Sequence, residues 1–337
     1  MKMIPGNSRH QGSRKEQQDD FGFSDIDNPI FVRHGGILAV VTDGMGGMAL
    51  GKEAAYVGKK TMLATYQDKS MDESIPDALH RSLFAANESV VSLAQDAGKE
   101  NQVGTTLAAA VVHLDRLHWI AAGDSRIYLY RNQTLTQLTR DHVYGHLLDA
   151  LAEAGEISPE EARSHPDRDA LSSGLGWEPL DEVDQSETPV PLMEGDRIFL
   201  CSDGIYKTLS ESEIANLLSG HPQQAADALI HEVLSKNRPG QDNMTAVILG
   251  RVPEGQTTII ELHSPKKRRG RPLLVGLLVV FLVLLGLVAV VRYQGDESGF
   301  RLPFLAKPSP AVTDLPGKVP ALAPPVTGYE PPNTKQP

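Results

Sequence analysis

The chain has 337 residues, 40% hydrophobic and 22% charged, which leaves room for one large domain or two smaller ones. Its formal net charge of -11 argues against general nucleic-acid binding, because a phosphate backbone would be repelled. The single cysteine, Cys201, excludes an intramolecular disulfide framework and a multi-cysteine zinc site.

Residues 1–10 lack a continuous apolar stretch, so no secretory signal is expected there. Further on, short apolar runs predict strands at 37–42, 107–113, 118–122, 127–131, 197–202 and 245–250. Apolar residues at helical spacing predict helices over 52–67, 76–97 and 222–236. Ser158-Pro159-Glu160-Glu161 opens another short helix with Pro159 in its first turn, and Ser210-Glu211-Ser212-Glu213 is a capping box leading into 214–218. The runs at 107–113 and 118–122 are close enough for a hairpin, which a third strand at 127–131 is expected to extend. This order is not a regular βαβα alternation. It favours antiparallel sheet with helices packed outside over a doubly wound nucleotide-binding fold. Neither a G-x-G-x-x-G after a strand nor a P-loop is present.

The large mixed region is expected to cover 4–252, followed by a polar and then basic linker at 253–272. Residues 273–291 form 19 uninterrupted apolar positions, which as a helix would span roughly 29 Å, about the thickness of a bilayer core. A core helix of that length would show a polar face, so a membrane span is expected. Lys266, Lys267, Arg268, Arg269 and Arg271 precede it and only Arg292 follows closely, which puts the large domain in the cytoplasm and the tail outside. The tail, 292–337, is proline-rich with few large apolar groups and is expected to be disordered.

Four predicted strands each deliver an aspartate to a strand end. The run 37–42 leads into Asp43-Gly44, 118–122 into Gly123-Asp124, and 197–202 into Asp203-Gly204, while Asp242-Asn243 stands just before 245–250. Any one of these alone reads as a turn residue. Four together point to a shared site, and an all-carboxylate set suits magnesium or manganese rather than zinc. Two such ions sharing a bridging hydroxide could attack phosphorus in line, with no protein nucleophile. Arg14, in Gly12-Ser13-Arg14-Lys15-Glu16-Gln17-Gln18-Asp19, could grip two phosphate oxygens bidentately.

Seven ordered motifs resemble the bacterial metal-dependent serine/threonine protein phosphatases of type 2C: G-S-R-K-E-Q-Q-D at 12–19, V-V-T-D-G-M-G-G at 40–47, G-T-T-L at 104–107, A-A-G-D-S-R-I-Y at 121–128, L-T-R-D-H at 138–142, C-S-D-G-I at 201–205 and D-N-M-T-A-V at 242–247. The resemblance implies an α+β fold, a four-layer α-β-β-α sandwich of two antiparallel sheets flanked by helices. It also implies hydrolysis of phosphoserine and phosphothreonine in proteins, with two manganese or magnesium ions and a third, weaker one. By the same resemblance Asp43 bridges two metals and Gly44 offers its carbonyl to the second. Asp203 and Asp242 complete the first, Asp19 supports the site through metal-bound water, and Asp124 helps hold the third ion. Arg14 binds phosphate, Asn243 supports the site, and 141–176 forms a flap beside it. Phosphorylated proteins and a cognate serine/threonine kinase are the implied partners.

Two departures from the family pattern stand out. Gln17-Gln18 replaces Asn-Glu before Asp19, and Met48 stands where relatives often have a histidine able to protonate the leaving group. They motivate an alternative, a catalytically weak phosphoprotein-binding module on the same fold. A cysteine-phosphatase mechanism would need an arginine six positions after Cys201. That position is Lys207, and Cys201 lies within an apolar strand, so a buried structural thiol is expected.

Overall fold

Two antiparallel sheets stacked face to face organise the protein, with helices on both outer faces. The computed structural model describes residues 2–45 and 50–252. In chain order the elements are β1 (Lys2–His10), β2 (Asp19–Phe23), α1 (Pro29–Gly35), β3 (Ile37–Asp43), α2 (Gly51–Gln67), α3 (Ile75–Asp96), β4 (Leu107–His113), β5 (Arg116–Ala122), β6 (Arg126–Arg131) and β7 (Thr134–Gln137). Then come α4 (Gly145–Glu153), α5 (Pro159–Ser164), β8 (Asp184–Gln185), β9 (Val190–Pro191), β10 (Arg197–Cys201), α6 (Asp203–Tyr206), α7 (Glu211–Leu217), α8 (Pro222–Ser235) and β11 (Met244–Val252). One sheet runs β1-β11-β10-β6-β7; the other runs β2-β3-β4-β5-β8, with β9 also paired to β5.

The strands read as unbroken apolar runs because both faces are buried, and their two-residue period sorts side chains into different cores. On β10, Ile198 and Leu200 face the other sheet while Phe199 and Cys201 lie under the helices. Likewise Val247 and Leu249 of β11 pack between the sheets, and Met244, Ala246 and Ile248 pack outward. On the second sheet, Leu38 and Val40 of β3 and Leu107, Ala109 and Val111 of β4 meet the buried stripes of α2 and α3.

Both capping boxes anticipated in the sequence are formed, at Ser158–Glu161 and at Ser210–Glu213. The β4–β5 hairpin closes through Leu114 (φ 47) and Asp115 (φ 58), two left-handed residues of the kind a tight two-residue hairpin turn requires.

The expected third strand of that hairpin is a correction. Residues 126–131 form β6, which pairs with β10 in the opposite sheet. The chain leaves β5 at Gly123 (φ +102), where a Cβ would lie 2.7 Å from Thr106 Cγ2, and crosses the sandwich instead of turning back. At the start of the chain β1 runs from Lys2, and Pro5 is tolerated in it because β1 is an edge strand. Among the described residues no helix is long and apolar enough to cross a membrane. The expected span at 273–291, with the linker and the tail, lies outside the described residues.

Leu200 sits fully buried in the layer between the sheets. Leu200→Ala is expected to cost about 2–5 kcal/mol, read as a lower urea midpoint with an unchanged slope. A loss under about 1 kcal/mol would mean that this layer is loosely packed.

Candidate active site

Asp43 ends β3 and Asp19 begins β2, and the two are direct cross-strand partners. Asp203 opens α6 immediately after β10, Asp242 stands two residues before β11, and Asp124 lies in the crossing between β5 and β6. Asp43, Asp124, Asp203 and Asp242 line one cleft of about 170 Å³, together with Gly44, Met45, Thr106, Asp169, Leu171 and Lys207.

Each acid is fixed by its surroundings. The Asp43 amide donates to Thr106 Oγ1 (3.0 Å), and the Asp43 carbonyl accepts from the Thr106 amide and from Thr105 Oγ1, both at 2.9 Å. Asp19 is buried. Its Oδ2 accepts from Ser202 Oγ (2.7 Å), at the end of β10, and from Thr245 Oγ1 (2.8 Å), on β11. One carboxylate of the second sheet is thereby tied to two strands of the first. Gly44 leaves no space for a side chain, since a Cβ there would stand 2.2 Å from the Gly51 carbonyl oxygen. Neighbouring Asp20 points the other way, as strand alternation requires, and pairs with Lys59 and Arg9.

Asn243 is buried and fastens the loop that carries Arg14. Its Oδ1 accepts from the Gln18 amide (2.7 Å), and its Nδ2 donates to the carbonyls of Gln11 (2.8 Å) and Glu16 (3.0 Å). Arg14 Nη2 donates to Asp242 Oδ2 at 2.6 Å. On the opposite side Lys207 Nζ lies 2.7 Å from Asp203 Oδ2 and 3.3 Å from Asp124 Oδ2. Gln17, one of the two departures, uses its Oε1 to accept from the Asp19 amide (3.1 Å). Met48, the other, lies outside the described residues.

So many acids in one place shift one another. Burial, then Asp19, Asp203, Asp124 and Asp242, push the Asp43 carboxyl well above its ordinary range. Burial also pushes Asp19 up to about 6, against the lowering effect of the Ser202 and Thr245 hydroxyls. Asp203 is raised by burial and by Asp124 and Asp242, with Lys207 opposing. Burial alone would lower the Lys207 ammonium, but Asp203 and Asp124 outweigh it and hold Lys207 charged.

Among the described residues no three acidic, histidine or cysteine side chains converge on one point as a finished ligand cage. Arg14 and Lys207 hold Asp242, Asp203 and Asp124 through ion pairs. The donor set nevertheless fits a hard divalent cation. It is all oxygen, and Asp19 Oδ1 is buried without a hydrogen-bond partner among the described residues, so this carboxylate has spare capacity toward a cation or its water.

Three other groups capable of chemistry do not line the cleft. Cys201 is fully buried and burial pushes its thiol far up, which leaves it no nucleophilic role. His142 is buried and accepts from the Gly123 amide through Nδ1 (3.1 Å), which braces the turn before Asp124. His165 packs edge-on against Tyr144 and caps the Asp167 amide. Two lining residues were missed from the sequence. Lys207 carried a usable signal, being four residues and so one helical turn beyond Asp203. Asp169, from the expected flap segment, carried none. A larger groove of about 700 Å³ is lined by Arg9, Lys15, Lys52 and Tyr56 and by Glu16, Glu53, Asp19 and Asp20. Of the five predicted site aspartates it holds only Asp19, while the smaller cleft holds Asp43, Asp124, Asp203 and Asp242, so the chemistry belongs to the smaller cleft.

A family model for protein phosphatase 2C matches residues 7–241. The serine/threonine phosphatase stp of Listeria welshimeri is 32% identical over 217 residues, which is 64% of this chain and 84% of that protein. Among solved structures, the serine/threonine phosphatase PstP/Ppp of Mycobacterium tuberculosis superposes with a TM-score of 0.59 at 29% identity, covering 74% of this chain and 98% of the other. The catalytic domain of PstP in complex with two manganese ions gives a TM-score of 0.58 at 27% identity, covering 74% and 99%.

The raised carboxyls predict a pH-dependent response to metal. A carboxyl whose pKa rises from 3.8 to about 6 on folding binds a proton more tightly in the folded chain. Its contribution to stability is therefore present below about pH 4 and lost as pH rises through 6, and Asp43 extends the loss higher. Divalent ions supply the positive charge that protons supply at low pH. Manganese added to chelator-stripped protein is expected to raise the unfolding temperature more at about pH 7.5 than at about pH 5. Equal shifts at both pH values in a thermal melt would mean that the ions bind elsewhere.

Proposed function

The chain belongs to the protein phosphatase 2C family, and from that premise we propose how this member works. It is a metal-dependent phosphoprotein phosphatase that hydrolyses phosphoserine and phosphothreonine. The observation that carries the assignment is the convergence of Asp43, Asp124, Asp203 and Asp242 on one cleft, with Asp19 directly across from Asp43.

Asp43, Asp203 and Asp242, with the Gly44 carbonyl, would hold two manganese or magnesium ions, and Asp19 would orient their water. When bound, such ions supply an activated water as nucleophile and neutralise the phosphate oxygens. Within this site Asp43 is central, because it is the carboxylate that every other acid repels and that a shared cation relieves most. Arg14 is half-exposed and already holds a carboxylate, so its guanidinium is free to exchange Asp242 for the oxygens of an incoming phosphate. Asn243 keeps that loop in place. Residues 141–176, through Asp169 and Leu171, border the cleft and would shape access for the peptide around the phosphorylated residue.

The domain organisation follows from sequence patterning: a catalytic domain over 4–252, a basic linker at 253–272, a single membrane span at 273–291 and an external tail at 292–337. The enzyme would then face the cytoplasm from a bacterial inner membrane and reverse the action of a serine/threonine kinase. The basic cluster on one flank of the apolar stretch supports this orientation.

Two measurements test these readings. With full-length protein and a phosphothreonine peptide, Asp43→Asn is expected to abolish manganese-dependent phosphate release. Arg14→Ala should lower kcat/KM by about tenfold to a hundredfold, the worth of one charge-assisted contact. Peptide binding without turnover in the unsubstituted protein would favour the weak-module alternative. For the anchor, the full chain should sediment with membranes and resist alkaline carbonate extraction; release by carbonate would remove the membrane span.

A further inference from the structure

Lys207 is the one basic side chain that lines the acidic cleft among the described residues. It follows α6, one turn beyond Asp203, and its ammonium bridges Asp203 Oδ2 (2.7 Å) and Asp124 Oδ2 (3.3 Å). The same Asp124 oxygen also accepts from Tyr206 Oη at 3.0 Å, and Tyr206 Oη lies 3.0 Å from the Asp124 carbonyl oxygen as well. Tyr206 is itself pinned: the Arg126 guanidinium lies 3.6 Å above its ring, and Asp141 grips that guanidinium through both carboxylate oxygens. Asp124 is 8% exposed, and the Lys207 and Tyr206 side-chain contacts both fall on its Oδ2.

Two carboxylates sharing one cation is an arrangement that a divalent ion could otherwise fill. Here that position belongs to a tethered ammonium. A divalent ion at Asp124 would have to break two ion pairs and then sit beside the positive charge it displaced. We infer that Lys207 takes the place of a third divalent ion at Asp124, so that the cleft holds two exchangeable metals and one built-in cation. The inference rests on the two-metal reading of the site. It assigns Lys207 a charge-balancing role fixed by the sequence and independent of metal concentration.

Counting bound manganese on the full-length chain tests it, by equilibrium dialysis with elemental analysis and by the electron paramagnetic resonance signal of free manganese, up to millimolar metal. The expected stoichiometry is two ions in the unsubstituted chain and in Lys207→Arg, and three in Lys207→Met and in Lys207→Gln. Adding Asp124→Asn to Lys207→Met should return the count to two. Three ions in the unsubstituted chain, or two in both neutral variants, would overturn the inference and leave the two-metal reading standing. Fewer than two ions in the unsubstituted chain would overturn the two-metal reading, and the inference with it.

Discussion

Asp19 and Asp43 face each other directly across two hydrogen-bonded strands, and the site depends on what it takes to keep them there. Like charges opposite one another weaken a strand pair, and burial penalises each charge further. For Asp19, a shift from 3.8 to about 6 corresponds to about 3 kcal/mol at neutral pH, a large share of the stability of an ordinary domain. A sequence that accepts such a cost holds the acids for something that binds them. The same pair explains why the ends of β2 and β3 are so heavily secured, with hydroxyls from Ser202, Thr245, Thr105 and Thr106 all directed at Asp19 or at the Asp43 backbone.

The sandwich supplies that security. Ser202, just after β10, and Thr245, on β11, are carried by the five-stranded sheet and Asp19 by the six-stranded one, so the acid cluster depends on the two sheets being stacked in register. The inter-sheet layer of Ile198, Leu200, Val247 and Leu249 against Ala39, Val41, Ala108 and Ala110 therefore positions the chemistry although none of these side chains is polar. At the rim the connections are looser and polar. Asn243 ties down the Arg14 loop, and the Tyr206–Arg126–Asp141 stack steadies Asp124.

What could be read in the sequence follows from how local each signal is. Strands β3, β4, β10 and β11 were legible because burial on both faces makes them continuous apolar runs, and the aspartates beside β3, β10 and β11 followed. β1 was not, because Pro5, Gly6 and five polar residues give an edge strand no periodicity. The switch of β6 to the other sheet was hidden as well: strand runs carry no record of which partner they choose, and only the backbone at Gly123 shows the crossing. Of the site, the acids stood out through the residues beside them, whereas Asp169 and Tyr206 reach it through tertiary contacts with no sequence periodicity. Lys207 was noticed only for its distance from Cys201, when the informative spacing was the four residues from Asp203.

Charge balance links these features to the reaction. Asp19, Asp43, Asp124, Asp169, Asp203 and Asp242 outnumber the two cations at the site, Lys207 and Arg14, by four. In the proposed enzyme two divalent ions cancel that deficit, which admits a phosphate dianion without holding the product phosphate too tightly. A third divalent ion beside Lys207 would raise the cleft to two positive charges and slow release of the same product. With Lys207 already in place, the balance suited to binding and letting go of phosphate is reached at two metals. Arg14, paired with Asp242 until a phosphate arrives, contributes its charge where it is needed and at no further desolvation of Asp242 than the ions themselves relieve.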